Sequence, residues 1–368
     1  MSARRPGGDA ARPRHGADSP EQHDRALRVG IFRSRDVALA HGEAHDALAV
    51  QAVGDEADAI EHACRANGWT PIAIEAATEP DRTLANLREA RVDVVFQLVE
   101  SIGGDARFEA AAEWLLEWAR IPYTGTGPIA TTIALQKPLA RAVLIAHGVP
   151  VPRGFVVEQA DFALPDVFLD QPSARWIVKP SREDASHGIA VESVVRGERE
   201  LRARAAYVLD RYRQPALVEE FVDGREFNAS ILGDGAGADV LPLAEIDYSS
   251  FPKGSPTLVT FNAKWDPDSP EYRGSMPIAA TGVGPELEVS IKQAALRAYN
   301  AIGLRGYGRI DVRVHPERGP LVLDVNPNPD ISPDAGLARA AERGGLSYAQ
   351  LIARIIDGAR RTSGHAPA

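Results

Sequence analysis

Tyr307-Gly308-Arg309-Ile310-Asp311-Val312-Arg313-Val314, the turn His315-Pro316-Glu317-Arg318-Gly319-Pro320, and Leu321-Val322-Leu323-Asp324-Val325-Asn326 are the stretch from which the fold is read. Apolar and polar residues alternate on both arms, the period of half-buried strands. A hairpin folded about Glu317 and Arg318 sets Asp311 opposite Asp324 and Arg309 opposite Asn326. All four fall on one face, because strand side chains alternate with period two. The Pro-rich turn leaves the register free to slip by a residue or two.

Asp and Asn are depleted inside strands, and two facing carboxylates repel unless a cation sits between them. Oxygen-only donors are what Mg²⁺ takes, and phosphates commonly complete its shell. The hairpin therefore reads as a metal and phosphate site, with Asp311, Asp324 and Asn326 as ligands, against the alternative of a solvated polar face on an edge hairpin.

The rest of the chain sets bounds. Its 368 residues predict two or three domains. Hydrophobic and charged contents of 44% and 25% are those of an ordinary globular enzyme. A net charge of −10 argues against a nucleic-acid partner. No stretch approaches the roughly 20 apolar residues of a membrane span, so a cytoplasmic protein without membrane contact is expected. The single cysteine, Cys64, excludes an internal disulfide and reads as a buried small hydrophobe in a helix. Residues 1–26, rich in Arg, Gly, Pro, Ala and His, read as a disordered leader. Among 41 Lys and Arg the only lysines are Lys137, Lys179, Lys253, Lys264 and Lys292. A chain that otherwise takes arginine has kept a few compact ammonium charges.

Strands at 27–32, 72–74 and 93–98 alternate with helices at about 46–67, 82–89 and 108–119, the pattern of a parallel α/β sheet. This first domain spans residues 27–128, and Thr124-Gly125-Thr126-Gly127 reads as a turn at its end. From Ile129 to His147 a helical pattern is interrupted at Lys137-Pro138, where the helix should kink or restart, and Gly148 should cap it. Trp176–Pro180 reads as a strand entering the loop 181–188, returning as a strand at 189–191. Lys179 at the strand end, with Ser181, Ser186 and Gly188 in the loop, could wrap phosphates with backbone N–H groups and one ammonium. Ala216–Val222 is an apolar strand ending in Glu219 and Glu220, where a purine edge and ribose could be read, and Glu226 follows the Asp223-Gly224 turn. Subdomain boundaries are expected at 129–222 and 223–360, with an α+β block in the last and a tail at 361–368.

In this order Ile121-Pro122-Tyr123-Thr124-Gly125, Ala134–Lys137, Gly148–Pro152, Ile177–Glu183, Leu217–Phe221, Gly224–Phe227, Gly308–Asp311 and Asp324-Val325-Asn326-Pro327-Asn328-Pro329 occur. Over roughly 93–356 the chain resembles the ATP-grasp superfamily, in its D-alanine–D-alanine ligase-like branch. The resemblance implies an ATP-grasp fold preceded by a Rossmann-like α/β domain, with ATP and Mg²⁺, or Mn²⁺, as cofactors. It implies that Lys137, Lys179, Ser186 and Lys264 hold the nucleotide phosphates. Glu219 and the Phe221–Val222 backbone would take adenine, and Glu226 the ribose. Asp311, Asp324 and Asn326 fall on the metal ligands and Arg309 on the arginine that stabilises the transferring phosphoryl group. The implied reaction joins a small carboxylate and an amine, amino acids by family habit, through an acyl phosphate, with backbone amides near Asn328 supporting the oxyanion. A homodimer through the first domain would fit the resemblance.

The departures fall on the amino-acid side. Arg33-Ser34-Arg35-Asp36 follows the first strand in place of a glycine, serine and glutamate motif that binds the first substrate's amine. Ala185 and Trp265 stand where a serine and a tyrosine complete that set. Ala335 replaces a serine for the second substrate's carboxylate, Asp330 a glycine and Asp324 a glutamate. Glu100 sits where a histidine is usual and becomes a candidate for a substrate amine. A ligase with a pair other than two D-alanines is therefore expected, with a non-catalytic ATP-binding module as the alternative.

Overall fold

The computed structural model describes residues 25–34, 53–171 and 173–363. Its first layer is a three-stranded parallel sheet, β1 (Arg28–Arg33), β2 (Thr70–Glu75) and β3 (Val94–Gln97), in the order β2-β1-β3. Each strand feeds a helix, as a parallel sheet requires. These are α1 (Val53–Ala66), α2 (Pro80–Ala90) and α3 (Glu109–Ala119). The part of the first predicted helix before Val53 and the leader before Arg25 lie outside the described residues. Arg25, inside the expected leader, already pairs with Asp93 at 3.1 Å. Cys64 is buried in this layer's core, as its helical pattern suggested.

The helical stretch that follows is two helices, α4 (Pro128–Leu135) and α5 (Lys137–Ala146), bent by 105°. The break falls on Gln136, and the Lys137 amide leaves the helix pattern to donate to the Ser181 carbonyl at 2.9 Å. Gly148 follows in the left-handed region at φ +66°, where glycine ends a helix without strain. Among the described residues no single helix is long and apolar enough to cross a membrane, and the bent pair packs its alanines into the core.

A second sheet, antiparallel, has the order β4-β7-β5-β6, with β4 (Gly154–Val157), β5 (Arg175–Pro180), β6 (Val194–Arg196) and β7 (Ala216–Glu220). Here the structure corrects the sequence. The strand expected at 189–191 is not one; β5 pairs with β6 at 194–196, after a single turn of 3₁₀ helix. Gly188, at φ +70°, seats its backbone against Pro180 and the Tyr212 ring, which turns the chain before it can re-enter the sheet. Helices α6 (Asp166–Leu169) and α7 (Gly197–Arg211) accompany this sheet, and α7 packs Leu201, Ala205 and Val208 against Trp176 and Val178.

The third sheet has the order β11-β10-β8-β12-β13, with β9 on β8. Its strands are β8 (Glu226–Leu232), β9 (Asp239–Val240), β10 (Ala244–Asp247), β11 (Met276–Ala279), β12 (Tyr307–His315) and β13 (Gly319–Asn326). Helices α8 (Phe261–Trp265), α9 (Pro270–Gly274) and α10 (Pro285–Ile302) intervene, and α11 (Gly336–Arg343) and α12 (Tyr348–Ser363) close the chain. The predicted hairpin lies at one end of this sheet: β12 is internal, between β8 and β13, and β13 is the edge strand. Asp311 faces Asp324 and Arg309 faces Asn326, as read from the alternation. Nearer the turn the register shifts by one, Val312 pairing with Val322, so Leu323 is the extra residue of a β-bulge.

The last helix runs to Ser363, beyond the predicted boundary. The reason is packing: Leu351, Ile352, Ile355, Ile356 and Ala359 join Val29, Ile31 and Phe96 in one core. The last helix thus rests on the first sheet.

Candidate active site

The second and third sheets face each other across a cleft of about 460 Å³, within the size range of small-molecule sites. Lys137, Lys179, Ser186, Glu219, Phe221, Val222, Glu226, Lys264, Arg309, Asp311, Asp324, Asn326 and Asp330 all line it. Glu100 and Asn328 line a smaller chamber behind Arg309. The two spaces share Lys264, Arg309, Asn326 and Asp330 among their walls, whereas Ser181 and Gly188 of the expected phosphate loop line neither.

The cations arrive from three directions. Lys137, at the start of α5, reaches both oxygens of Asp324 at 2.9 and 3.0 Å and Asp184 at 3.2 Å. Burial opposes its charge, but these carboxylates outweigh it and hold the ammonium firmly protonated. Lys179, from β5, sits 2.7 Å from Glu219 and contacts the Leu323 carbonyl at 3.5 Å, the residue of the bulge. Lys264, on α8, lies 5.0 Å over the Trp265 ring. Burial, and then Arg309, lower its pKa, so it is the cation least satisfied by the protein itself.

Arg309 forms a fork on Asp311, with Nε at 2.8 Å and Nη2 at 2.9 Å, while Asn228 donates to the same carboxylate at 2.7 Å. Asp324 is opposed by burial, yet Lys137 and Lys179 hold its carboxyl below the usual range. Asn326 accepts the Asn328 amide at 3.0 Å through Oδ1, which leaves that oxygen a further lone pair. Two carboxylates and an amide oxygen on adjacent strands are the oxygen donors a Mg²⁺ or Mn²⁺ ion takes, so the donor chemistry fits.

On the other wall several groups singled out for the nucleotide are already engaged. Glu226 accepts from Arg313 at 2.6 and 2.9 Å and from the Tyr248 hydroxyl at 2.7 Å. Arg313 also donates to the Val222 carbonyl at 2.8 Å. Glu220 turns to Arg318 at 2.7 Å. Ser186 donates to the Val259 carbonyl at 3.1 Å, and with Ala185 it takes positive φ, +62° and +52°, which shapes the loop beneath the cleft. The Trp265 indole donates to the Ala185 carbonyl at 3.0 Å, so a different bond ties the loop to α8 where the expected serine–tyrosine link is missing.

Sequence reading missed Arg313, Glu56, Glu109 and Arg339. Arg313 belongs to the quoted hairpin on the same parity as Arg309 and Asp311, a signal that was available. Arg339 lies one helical turn after Ala335 and lines the cleft beside it. Glu56 and Glu109 sit on helices of the first layer, and nothing local marks their contact with the 328–331 loop.

Two antiparallel sheets closing on a cleft of converging lysines, an arginine and paired carboxylates, behind an α/β layer, define an ATP-grasp protein. The family model for the D-ala D-ala ligase C-terminus matches residues 144–357. A D-alanine–D-alanine ligase of Methylibium petroleiphilum is 31% identical over 76% of this chain and 83% of that protein. One from Gluconobacter oxydans is 32% identical over 88% and 95%. The structure of the D-alanine–D-alanine ligase from Bacillus anthracis complexed with ATP superposes with a TM-score of 0.70 at 19% identity, over 92% of this chain and 99% of that one. The chain belongs to the D-alanine–D-alanine ligase family, ATP-dependent enzymes that form carbon–nitrogen bonds.

Proposed function

We propose that this protein joins a small carboxylic acid to an amine at the expense of ATP, through an acyl phosphate, and that its substrates are not two D-alanines. The observation that carries the reading is the convergence of Lys137, Lys179, Lys264, Arg309, Asp311, Asp324 and Asn326 on one cleft. A binding module would not need a fork-held arginine beside the phosphate lysines.

Lys137, Lys179 and the 181–188 loop hold the nucleotide phosphates; Glu219, Phe221, Val222 and Glu226 line the base and ribose end. Asp311, Asp324 and Asn326 would hold Mg²⁺, which would supply charge neutralisation to the nucleotide phosphates. A carboxylate oxygen of the first substrate attacks the γ-phosphorus, and ADP leaves as the acyl phosphate forms. Lys264 and Arg309 stabilise the charge that spreads over the transferring phosphoryl oxygens. The amine of the second substrate then attacks the acyl carbon, loses a proton, and expels phosphate. Of the 328–331 amides expected to support the tetrahedral oxyanion, that of Asn328 is taken by Asn326, that of Ile331 by Glu56, and Pro329 has none, so the role falls to the Asp330 amide. Catalysis is chiefly positioning and charge neutralisation.

The altered pair is supported by the residues at the substrate end. Ala185, Trp265, Asp330 and Ala335 offer other hydrogen bonds than a serine, tyrosine, glycine and serine would, and sites that lose such partners reject the matching substrate strongly. Glu100 is exposed and lines the chamber, and desolvation by the surrounding protein, offset by Lys264, pushes its carboxyl up to about 7. We read it as the group that meets a substrate amine.

Phosphate release from Mg-ATP against D- and L-amino acids, alone and paired, with mass detection of products, tests the reading. Turnover with one new pair supports it. Turnover with D-alanine alone sinks the altered pair, and ATP binding with no turnover on any pair favours a non-catalytic module.

A further inference from the structure

Arg313 stands directly opposite Glu226 where β12 pairs with β8, and it is only 3% exposed. All three nitrogens of its guanidinium are engaged. Nε and Nη2 donate to the same oxygen of Glu226, Oε2, at 2.9 and 2.6 Å. Nη1 donates to the Val222 carbonyl at 2.8 Å, and Nη2 also to the Thr257 carbonyl. The guanidinium lies over the Phe221 ring at 5.0 Å, and Arg175 lies over the same ring at 4.7 Å. A planar fork that is stacked on a ring and bonded from every nitrogen has one orientation. It joins β8 and β12 to the segment that leads into α8 and Lys264.

The consequence falls on Glu226. Its Oε2 accepts those two bonds and a third from the Tyr248 hydroxyl at 2.7 Å. Burial, and the carboxylate beside it, raise that hydroxyl well above its ordinary range, so it stays a donor. A carboxylate oxygen has about two lone-pair sites, so Oε2 has none left for a ligand. Among the described residues nothing donates to Oε1, and Glu226 lines the cleft. A pair of neighbouring hydroxyls gripped by both oxygens of a carboxylate needs two open acceptors side by side. Here one is open and the other is closed from within.

We propose that Arg313 is a positioning residue that makes Glu226 a single acceptor, so that the protein reads one hydroxyl of the nucleotide's ribose and is indifferent to the other. The proposal rests on the nucleotide end of the reading above and deepens it. With Oε2 held by three donors the carboxylate cannot rotate, and Oε1 points one way. A hydroxyl in line with it gains a hydrogen bond to a charged group, and its neighbour, out of line, gains nothing. The competing role for Arg313 is purely structural, to tie β8, β12 and the segment before α8 together.

Calorimetric binding of Mg-ADP, Mg-2′-deoxy-ADP and Mg-3′-deoxy-ADP to the full chain reads this without any turnover. One deoxynucleotide should bind within about threefold of ADP and the other about 10–100-fold more weakly, the scale of a hydrogen bond to a charged group. Arg313→Lys keeps the charge and loses the fork, and the gap between the two deoxynucleotides should fall below about fivefold. A second route removes both buried charges together, which folded proteins tolerate better than the loss of one. In Glu226→Gln the arginine still holds the side-chain oxygen, so a preference of about 2–10-fold for the same hydroxyl should remain. Adding Arg313→Met to it should erase that preference. Two deoxynucleotides weakened alike in the native protein, or neither weakened, overturn the proposal. So does a folded Arg313 variant, by either route, that weakens all three nucleotides by one factor with the gap intact, the signature of a structural tie. Product formation from the ATP forms judges the ligase reading separately. A gap in binding with no product on any substrate pair keeps the role of Arg313 and counts against ligation; product formed equally well from both deoxy-ATPs does the reverse. Failure of ADP itself to bind removes the nucleotide reading and the proposal with it.

Discussion

Arg309 and Glu113 show how differently two ionisable groups act in this protein. Arg309 is held in a fork by Asp311 and faces the space where a phosphoryl group would transfer. Arg309→Lys keeps the charge and loses the planar fork, so kcat should fall by about 10²–10³-fold with ATP affinity little changed. Fluorescence binding of nucleotide beside steady-state turnover reads this, and an unchanged kcat would remove Arg309 from the chemistry. Glu113 lies outside the cleft. It accepts from Thr131 at 2.8 Å with one oxygen, the other has no hydrogen-bond partner, and desolvation pushes its pKa from 4.5 to about 8. Between those values the unfolded chain has ionised while the folded one still holds its proton, so stability falls as pH rises through that window. Glu113→Gln should flatten this fall: its Tm advantage over the native protein should be larger at pH 8 than at pH 5. Parallel Tm curves would show that Glu113 does not titrate there.

At the scale of elements, the loop between β5 and β6 depends on one backbone position. At Gly188 an added Cβ would lie 2.7 Å from Pro180 Cγ and 2.9 Å from the Tyr212 ring, at φ +70°. Neither ring can retreat within a buried core, so Gly188→Ala should cost about 1–3 kcal/mol and raise the KM for ATP, because the same loop carries Ser186. Thermal melts and ATP kinetics check both effects; a native-like KM would show that the loop does not bear on the nucleotide. The β-bulge at Leu323 is the corresponding device on the hairpin, for its carbonyl is the one Lys179 contacts.

For the whole molecule the cleft is the seam between two sheets, and an ion pair and a hydrogen bond that cross it join distant parts of the chain: Lys137 with Asp324, and Lys179 donating to the Leu323 carbonyl. A ligand that bridges the seam should stabilise the entire fold. Mg-ATP at a hundred times its Kd should add about 2.7 kcal/mol, seen as a rise in Tm, and excess chelator should remove most of that rise. A chelator-insensitive rise would show that Asp311, Asp324 and Asn326 do not hold a metal needed for binding.

The alternation of Arg309, Asp311, Asp324 and Asn326, the restart of the helix near Lys137-Pro138 and the parallel first sheet were legible in the sequence, because each is written in a local backbone period or a proline's restricted dihedral. The short strands β4, β9, β10 and β11 have too few residues to show a period. The return of β6 was misplaced because the packing of Gly188 on Tyr212, not local pattern, decides where the chain re-enters the sheet. The sequence by itself determined which side chains share the hairpin face. Only the tertiary structure decided that Lys137 closes on Asp324, that Glu56 reaches Ile331, and that Glu56, Glu100, Glu109 and Asp330 line one chamber with Arg309. Those contacts join residues hundreds of positions apart, and they follow from how three sheets stack, which no local period encodes.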